Sequence, residues 1–300
     1  MNTHTHTRPI IRSLKQLSAV INEIGKETQV IAIVGAYLRY SISHEYYEAA
    51  FRKLLLPYVF LRIEIKPEEF PQFMINFVHP RTRTTMWNLW GLAVTCPYKE
   101  AIVPFLPKKS LDVESRHLRA VNTVALRGDN FDASNTDVGA TIKALEHFEY
   151  PLKSKHRIAI IGTGGMAAAF ASKLLEYSKV YIVGRNERKA RALMKRVRAT
   201  GWRPLDKFKG NFDIIINATP VGMLGGPDEH KSVVPAEVFK NNIVEIALDS
   251  VYTGETPFMR YARKGGCHVD NGLRLFEHQF KEQFVHLTGK AVPDGLKLKV

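Results

Sequence analysis

Gly162, Gly164 and Ala167 stand at the spacing Gly-x-Gly-x-x-Ala, directly after the apolar run 158–161. That run has the length and β-branched content of a buried parallel strand. Beyond the glycines, Ala167, Phe170, Ala171 and Leu174 recur at helical spacing, and a second apolar run follows at 180–183. Strand, glycine turn, helix and strand compose a mononucleotide-binding βαβ unit. Gly162 permits the tight turn, Gly164 lets the backbone approach a pyrophosphate, and Ala167 allows close packing of helix on strand. The helix start offers free N–H groups and a positive partial charge to the anion. Gly162, Thr163, Gly164, Gly165, Met166 and Ala167 are therefore the candidates for holding a dinucleotide.

The end of the second strand selects the dinucleotide. An NAD site carries an acid there to accept from the ribose 2′-hydroxyl. Here the strand runs into Gly184-Arg185-Asn186-Glu187-Arg188-Lys189. No acid stands at the tip, and Glu187 falls where the first turn of a helix favours a carboxylate. Arg185 and Lys189 suit charge-assisted hydrogen bonds to a 2′-phosphate. NADP is the expected cofactor, with NAD as the alternative.

A nicotinamide enzyme also needs a group that moves a proton to or from the oxygen of the carbon exchanging hydride. Lys99, four residues beyond Thr95, and Asp137, closing Asn135-Thr136-Asp137, are polar residues at strand ends outside the cofactor unit. A lysine beside a carboxylate can work as acid or base while the carboxylate holds its position. Each also has a structural reading, Lys99 as a surface cation at a helix start and Asp137 as an N-cap. In an open parallel sheet, ligands lie at the carboxyl ends of strands. Thr219 to Met223 and Asp249 to Tyr252, each following an apolar run, are thus placed to flank a nicotinamide.

The elements that must position these groups read as follows. A tail leads to a helix near 11–24, a strand at 30–34, a helix at 45–55 and a strand at 58–65. A helical stretch at 67–77 and a basic loop at 78–88 precede a strand at 91–95. Residues 120–137 form a hairpin, and a helix at 138–148 leads into the βαβ unit. Strands at 213–217 and 244–248 complete the cofactor sheet. The fold class is α/β, with a substrate domain and a Rossmann-type domain. The expected limits are an amino-terminal extension at 1–29, a substrate domain at 30–137 and 272–300, and an NADP-binding domain at 138–271.

Composition narrows the class. Three hundred residues with 45% apolar content suffice for two cores. No apolar run approaches the roughly 20 residues of a membrane span, and the amino terminus lacks a secretory pattern. Cys96 and Cys267 make neither a disulfide framework nor a metal spacing. His4 and His6 read as part of the tail rather than as metal ligands. A cytoplasmic enzyme without membrane or metal is expected, as a monomer or homodimer. The net charge of +14 raises nucleic acid as a partner, yet residues 185–210 alone hold ten Lys/Arg against two acids. The apolar stripe Ala190, Leu193, Met194 and Val197 makes that stretch one face of a helix, and no nucleic-acid motif accompanies it. The expected partner is a small molecule.

Nine short motifs in order, spanning Gly35 to Gly289, resemble the shikimate/quinate dehydrogenase family. They include Ser41-Ile42-Ser43, Ala93-Val94-Thr95-Cys96-Pro97-Tyr98-Lys99, Ala120-Val121-Asn122-Thr123, Asn135-Thr136-Asp137, the glycine loop, and Gly184-Arg185-Asn186 in the place of an Asn-Arg-Thr. Asn217-Ala-Thr-Pro-x-Gly-Met223, Asp249-x-x-Tyr252, and Gly272-Leu273 followed by Gln279 complete the set. The resemblance implies reversible reduction of 3-dehydroshikimate to shikimate with NADPH. Lys99 is then the proton donor with Asp137 beside it, and Ser41 and Ser43 hold the substrate carboxylate. Thr95, Asn122, Tyr252 and Gln279 complete the hydrogen bonds to substrate. Thr219, Met223 and Gly272 join the cofactor site, and the last helix returns to the first domain. Departures from the family pattern include His44 for proline, Ala93 for asparagine, Ala133 and Val138 around Asn-Thr-Asp, Gly184 for asparagine, and Arg274 for glycine. They leave two alternatives, a quinate/shikimate dehydrogenase using NAD or NADP, and a non-catalytic sensor of shikimate-pathway metabolites.

Overall fold

The apolar run at 30–34 forms the middle of β1 (Gln29–Gly35), the central parallel strand of the first sheet. β2 (Tyr58–Glu64) and β3 (Asn88–Val94) flank it in parallel, and β3 pairs antiparallel with β4 (Thr123–Arg127) and β4 with β5 (Asn130–Ser134). The order is β2-β1-β3-β4-β5. The computed structural model describes residues 8–146, 148, 152–153, 155–208, 211–240 and 244–296, so His4 and His6 lie outside the described residues. The chain divides into two units, Met1–Asp112 with Val121–Ser134 and Lys281–Val300, and Val113–Ala120 with Asn135–Phe280.

In the first unit, α1 (Leu14–Ile24) is capped by Ser13, whose side chain accepts from Gln16 N. α2 (Ser43–Lys53) connects β1 to β2. The stretch expected as one helix at 67–77 is three short pieces: a 3₁₀ turn at Pro67–Glu69, α3 (Phe70–Phe73) and a wider π-type turn at Met74–Val78. Pro71 lies inside the expected helix and lacks the N–H that a continuous α-helix uses, whereas Pro67 stands at a first position, where that N–H has no intrahelical partner. α4 (Tyr98–Ala101) follows β3.

The second unit contains α5 (Val113–Leu118), α6 (Asp137–Glu146), β6 (Arg157–Ile161), α7 (Gly165–Leu174), β7 (Lys179–Gly184), α8 (Glu187–Val197) and β8 (Gly201–Pro204). It continues with β9 (Ile214–Asn217), α9 (Glu237–Lys240), β10 (Ile246–Asp249), α10 (Pro257–Lys264) and β11 (His268–Asp270). All its strand pairs are parallel, in the order β11-β10-β9-β6-β7-β8. This is the doubly wound arrangement, with its switch point between β6 and β9. Ile158, Ile160, Val180, Ile182, Ile214 and Ile216 pack in one core, while Ala159, Ile161, Val183 and Ile215 pack in another. Both faces are covered, which is why these strands read as unbroken apolar runs. β8 and β11 were not expected from sequence. Gly201-Trp202-Arg203-Pro204 and His268-Val269-Asp270 carry no apolar run, and edge strands need only one buried face.

α11 (Leu273–Thr288) begins in the second unit and ends in the first. The limits therefore differ from the expected ones. Leu118, Ala120 and Leu275 pack in the core of the second unit, which draws 113–120 and the first half of α11 into it. The segment expected as an extension is core from Ile11 onward, because Ile11, Leu17 and Ile21 pack with Val30, Leu61 and Ile63. Ile11 also exchanges backbone hydrogen bonds with Arg62 and Glu64 along the edge of β2.

Leu17 is fully buried, and Leu17→Ala should lower the unfolding free energy by about 3 kcal/mol. The shift of the urea midpoint measures it. A loss below about 0.5 kcal/mol, the range of an exposed site, would show that α1 lies outside the core.

Candidate active site

The switch point brings together the residues expected to hold the dinucleotide. Gly162 follows β6 with φ +131°, and a Cβ there would lie 2.9 Å from the carbonyl oxygen of Ala218, just beyond β9. Only glycine accepts both that dihedral and that approach. Gly164 is exposed, and a Cβ on it would meet nothing within 4 Å, so the surface above the turn is open. Gly165 begins α7, and Ala167 is buried. The loop thus lies at the start of a ten-residue helix, where backbone N–H groups lack intrahelical partners, beneath open space.

At the end of β7, Asn186 caps α8 by accepting from Lys189 N at 2.9 Å. Arg185, Arg188 and Lys189 are exposed around this helix start. Glu187 is engaged by Arg191 at 2.7 Å, so the one acid of the segment is tied into its own helix. Asp228 is held below the ordinary carboxylate value first by its hydrogen bond with Lys231 and further by the charge of Arg185.

A buried carboxylate holds the loops on the other side of the switch point. Asp249 ends β10 with no exposure. It accepts from Asn217 Nδ2 at 2.9 Å, Val251 N at 3.0 Å and Thr256 Oγ1 at 2.6 Å. Asn217 Oδ1 in turn accepts from Thr219 N at 3.0 Å and Thr219 Oγ1 at 2.7 Å, and Thr256 Oγ1 caps α10 by accepting from Met259 N at 3.2 Å. Gly222 packs on Thr256, and Met223 N donates to Pro220 O. Gly272 N donates to Val251 O, and a Cβ on Gly272 would collide with the Ser250 carbonyl. Tyr252 packs on Phe276 with ring centroids 5.1 Å apart. Asp137 begins α6, its N–H donates to Asn135 Oδ1 at 3.1 Å, and Gln279 Nε2 donates to Thr136 Oγ1 at 3.2 Å.

In the first unit, the candidates gather at one end of the sheet. β1 ends at Gly35 and β3 at Val94, and Ala93 pairs with Thr123 at the start of β4. A Cβ on Gly35 would lie 2.5 Å from Thr95 Cγ2, so the glycine makes room for that threonine. Lys99 sits on α4, and its carbonyl accepts from Val121 N at 2.7 Å. Its charge partly offsets the burial that raises the Cys96 thiol pKa. Ser41 and Ser43 are buried at the start of α2, their hydroxyls 3.2 Å apart. His44 donates from Nδ1 to Ser41 O at 2.9 Å, and burial and the Arg62 charge lower its pKa. Asn122 is buried, and its Oδ1 accepts from Thr123 Oγ1 at 2.8 Å.

Residues 33–124 match the model of the shikimate dehydrogenase substrate-binding domain, and residues 143–223 match that of shikimate/quinate 5-dehydrogenase. The shikimate dehydrogenase (NADP+) of Archaeoglobus fulgidus is 31% identical over 86% of this chain and 92% of its own. The chain belongs to the shikimate dehydrogenase family. The relative from Thermococcus kodakarensis, of the same name, is 32% identical over 90% of this chain and 94% of its own. The Thermus thermophilus shikimate 5-dehydrogenase, solved in complex with NADP(H) and shikimate, superposes with a TM-score of 0.71 at 28% identity, covering 88% of this chain and 95% of that one.

Three residues that organise this family member were given no role from sequence. Asn217 and Thr256 tie Asp249 to the loops, and Gln283 does a similar task in the first unit. Tyr47 OH donates to Gln283 Oε1 at 3.0 Å, while Gln283 Nε2 donates to Asn122 O and Thr123 Oγ1, both at 2.9 Å. The available signal for Gln283 was its place one helical turn after Gln279 among phenylalanines. Among the described residues, no group of three or more His, Cys, Asp or Glu is arranged to hold a metal, and no helix is long and apolar enough to cross a membrane.

Burial raises the Asp249 pKa to about 7 against the pull of its three donors. An unfolded aspartate titrates near ~3.9, so the folded state binds more protons between these values. Stability therefore falls as pH rises from about 4 to about 7 and levels off above, by on the order of 4 kcal/mol in total. Asp249→Asn should remove that slope in urea denaturation across this range; equal slopes in variant and wild type would contradict the assignment.

Proposed function

We propose that this chain is an NADP-dependent shikimate dehydrogenase, reversibly reducing 3-dehydroshikimate to shikimate with NADPH. One arrangement supports this above all: a glycine turn at the switch point of a parallel sheet, beside a strand tipped with Arg185 and no acid. Gly162 to Ala167 fit the pyrophosphate, since the exposed Gly164 leaves open the space that a Cβ would begin to fill. Arg185 and Lys189 provide charge for the 2′-phosphate. Thr219, Met223 and Gly272 border the nicotinamide. When bound, NADPH supplies the hydride.

The chain supplies proton and substrate binding. Lys99 delivers the proton to the carbonyl oxygen as the alcohol forms and takes it back in the reverse direction. Asp137 is the carboxylate serving the same transfer. Ser41 and Ser43 bind the substrate carboxylate, where two buried hydroxyls at the start of α2 favour an anion. Thr95, Asn122, Tyr252 and Gln279 hydrogen-bond the ring hydroxyls and carboxylate. Fixed donors and acceptors suit a polyhydroxylated acid, because a polar group left unpaired at such a site costs more than a paired one returns.

Absorbance of the reduced nicotinamide with shikimate and NADP tests the activity directly. Lys99→Ala should lower kcat by roughly 1,000-fold while shikimate still binds by calorimetry; unchanged turnover would remove Lys99 from proton transfer. Arg185→Ala should raise KM for NADP by about tenfold or more, the loss expected of a charge-assisted hydrogen bond. The KM for NAD should change little, and equal effects on both cofactors would undo the 2′-phosphate assignment.

A further inference from the structure

Gly184 ends β7 immediately before Arg185. Its φ lies outside the left-handed region, so the backbone itself would accept any residue. The demand for glycine comes from a neighbour. A Cβ on Gly184 would lie 2.8 Å from Thr163 Cγ2 and 3.4 Å from Ala190 Cβ. The first distance is below any real Cβ contact, and the atom responsible belongs to the central residue of the glycine loop.

Thr163 is half-buried, between Gly162 and Gly164. Its methyl spans from the β6 turn to the end of β7, the strand that opens the Arg185–Lys189 cluster. Its hydroxyl has no hydrogen-bond partner among the described residues. A β-branched side chain has few χ1 choices, so seating the methyl against Gly184 also fixes where the hydroxyl can point.

We propose that Thr163 and Gly184 are a coupled pair that sets phosphate recognition in this chain. Gly184 is small in order to seat the Thr163 methyl, and the Thr163 hydroxyl hydrogen-bonds the 2′-phosphate in place of a side chain at 184. The hydroxyl's role rests on the NADP reading above; the steric pairing does not. An asparagine at 184 and a threonine at 163 then conflict sterically.

The test uses the full-length protein as wild type, Thr163→Val, Thr163→Ala, Gly184→Asn and the double variant Thr163→Ala/Gly184→Asn. Melting temperature without nucleotide reads the steric pair. NADPH and NADH affinities by fluorescence titration without substrate read the hydroxyl. Thr163→Val keeps the methyl and removes the hydroxyl, so it should weaken NADPH about tenfold, the value of a hydrogen bond to a charged group, and leave NADH within about twofold. Gly184→Asn should lower the melting temperature of the wild type but not that of the Thr163→Ala variant. The double variant should recover NADPH affinity to within about threefold of wild type, as expected when the pair acts as one unit. Additive changes in melting temperature would overturn the pairing. Equal weakening of both nucleotides by Thr163→Val, or none, would overturn the hydroxyl's role. Wild-type protein that fails to bind NADPH would overturn the cofactor reading and the hydroxyl's role together, with the pairing still decided by the melting temperatures.

Discussion

The close approach of two strand-end turns is the constraint on which the cofactor unit depends. Because the chain leaves β6 through Gly162, it can pass against the Ala218 carbonyl and start α7 directly above the switch point. A side chain there would separate the turns, and with them the helix start and the 217–223 loop. The parallel order of the strands, not the glycine motif alone, makes this junction a place where an anion and a flat ring can be held side by side.

The second constraint is a buried carboxylate with three donors. Asp249 could have been an apolar residue had its only task been to fill space between β9 and α10. Instead it receives Asn217, Val251 and Thr256, and Asn217 passes the constraint on to Thr219. Three loop segments at the carboxyl ends of β9 and β10 are thereby fixed through one side chain that takes up no exposed surface. In the first unit, Gln283 joins Tyr47 on α2 to Asn122 and Thr123 at the start of β4. Both devices put the polar hub one layer behind the residues proposed to meet substrate and cofactor.

Much of the frame was legible in the sequence, for identifiable reasons. Strands buried on both faces leave unbroken apolar runs, so β1, β6, β7, β9 and β10 were found within a few residues. The glycine turn and the cation-tipped strand carry their chemistry locally. What escaped was set by neighbours distant in the chain. β8 and β11 are edges whose sequence has no periodicity. Leu118 and Leu275 crossed the expected limits because a core residue belongs to whatever it packs against. Gln283 and Thr256 look like ordinary polar residues until their partners, 161 and 7 positions away, are known.

The glycines show the same distinction within one residue type. Gly162 is required by its own dihedral and by a backbone carbonyl, and Gly272 by the Ser250 backbone. No change in a neighbouring side chain could release either. Gly184 is held small only by the methyl of Thr163, a side chain that one substitution can shorten. A motif position that departs from its family while the backbone permits any residue is thus evidence about a second position. At the phosphate end of this site, the second position is in the glycine loop itself. The departure at 184 therefore reads as a contact moved from one strand end to the neighbouring one, with the chemistry of anion binding retained.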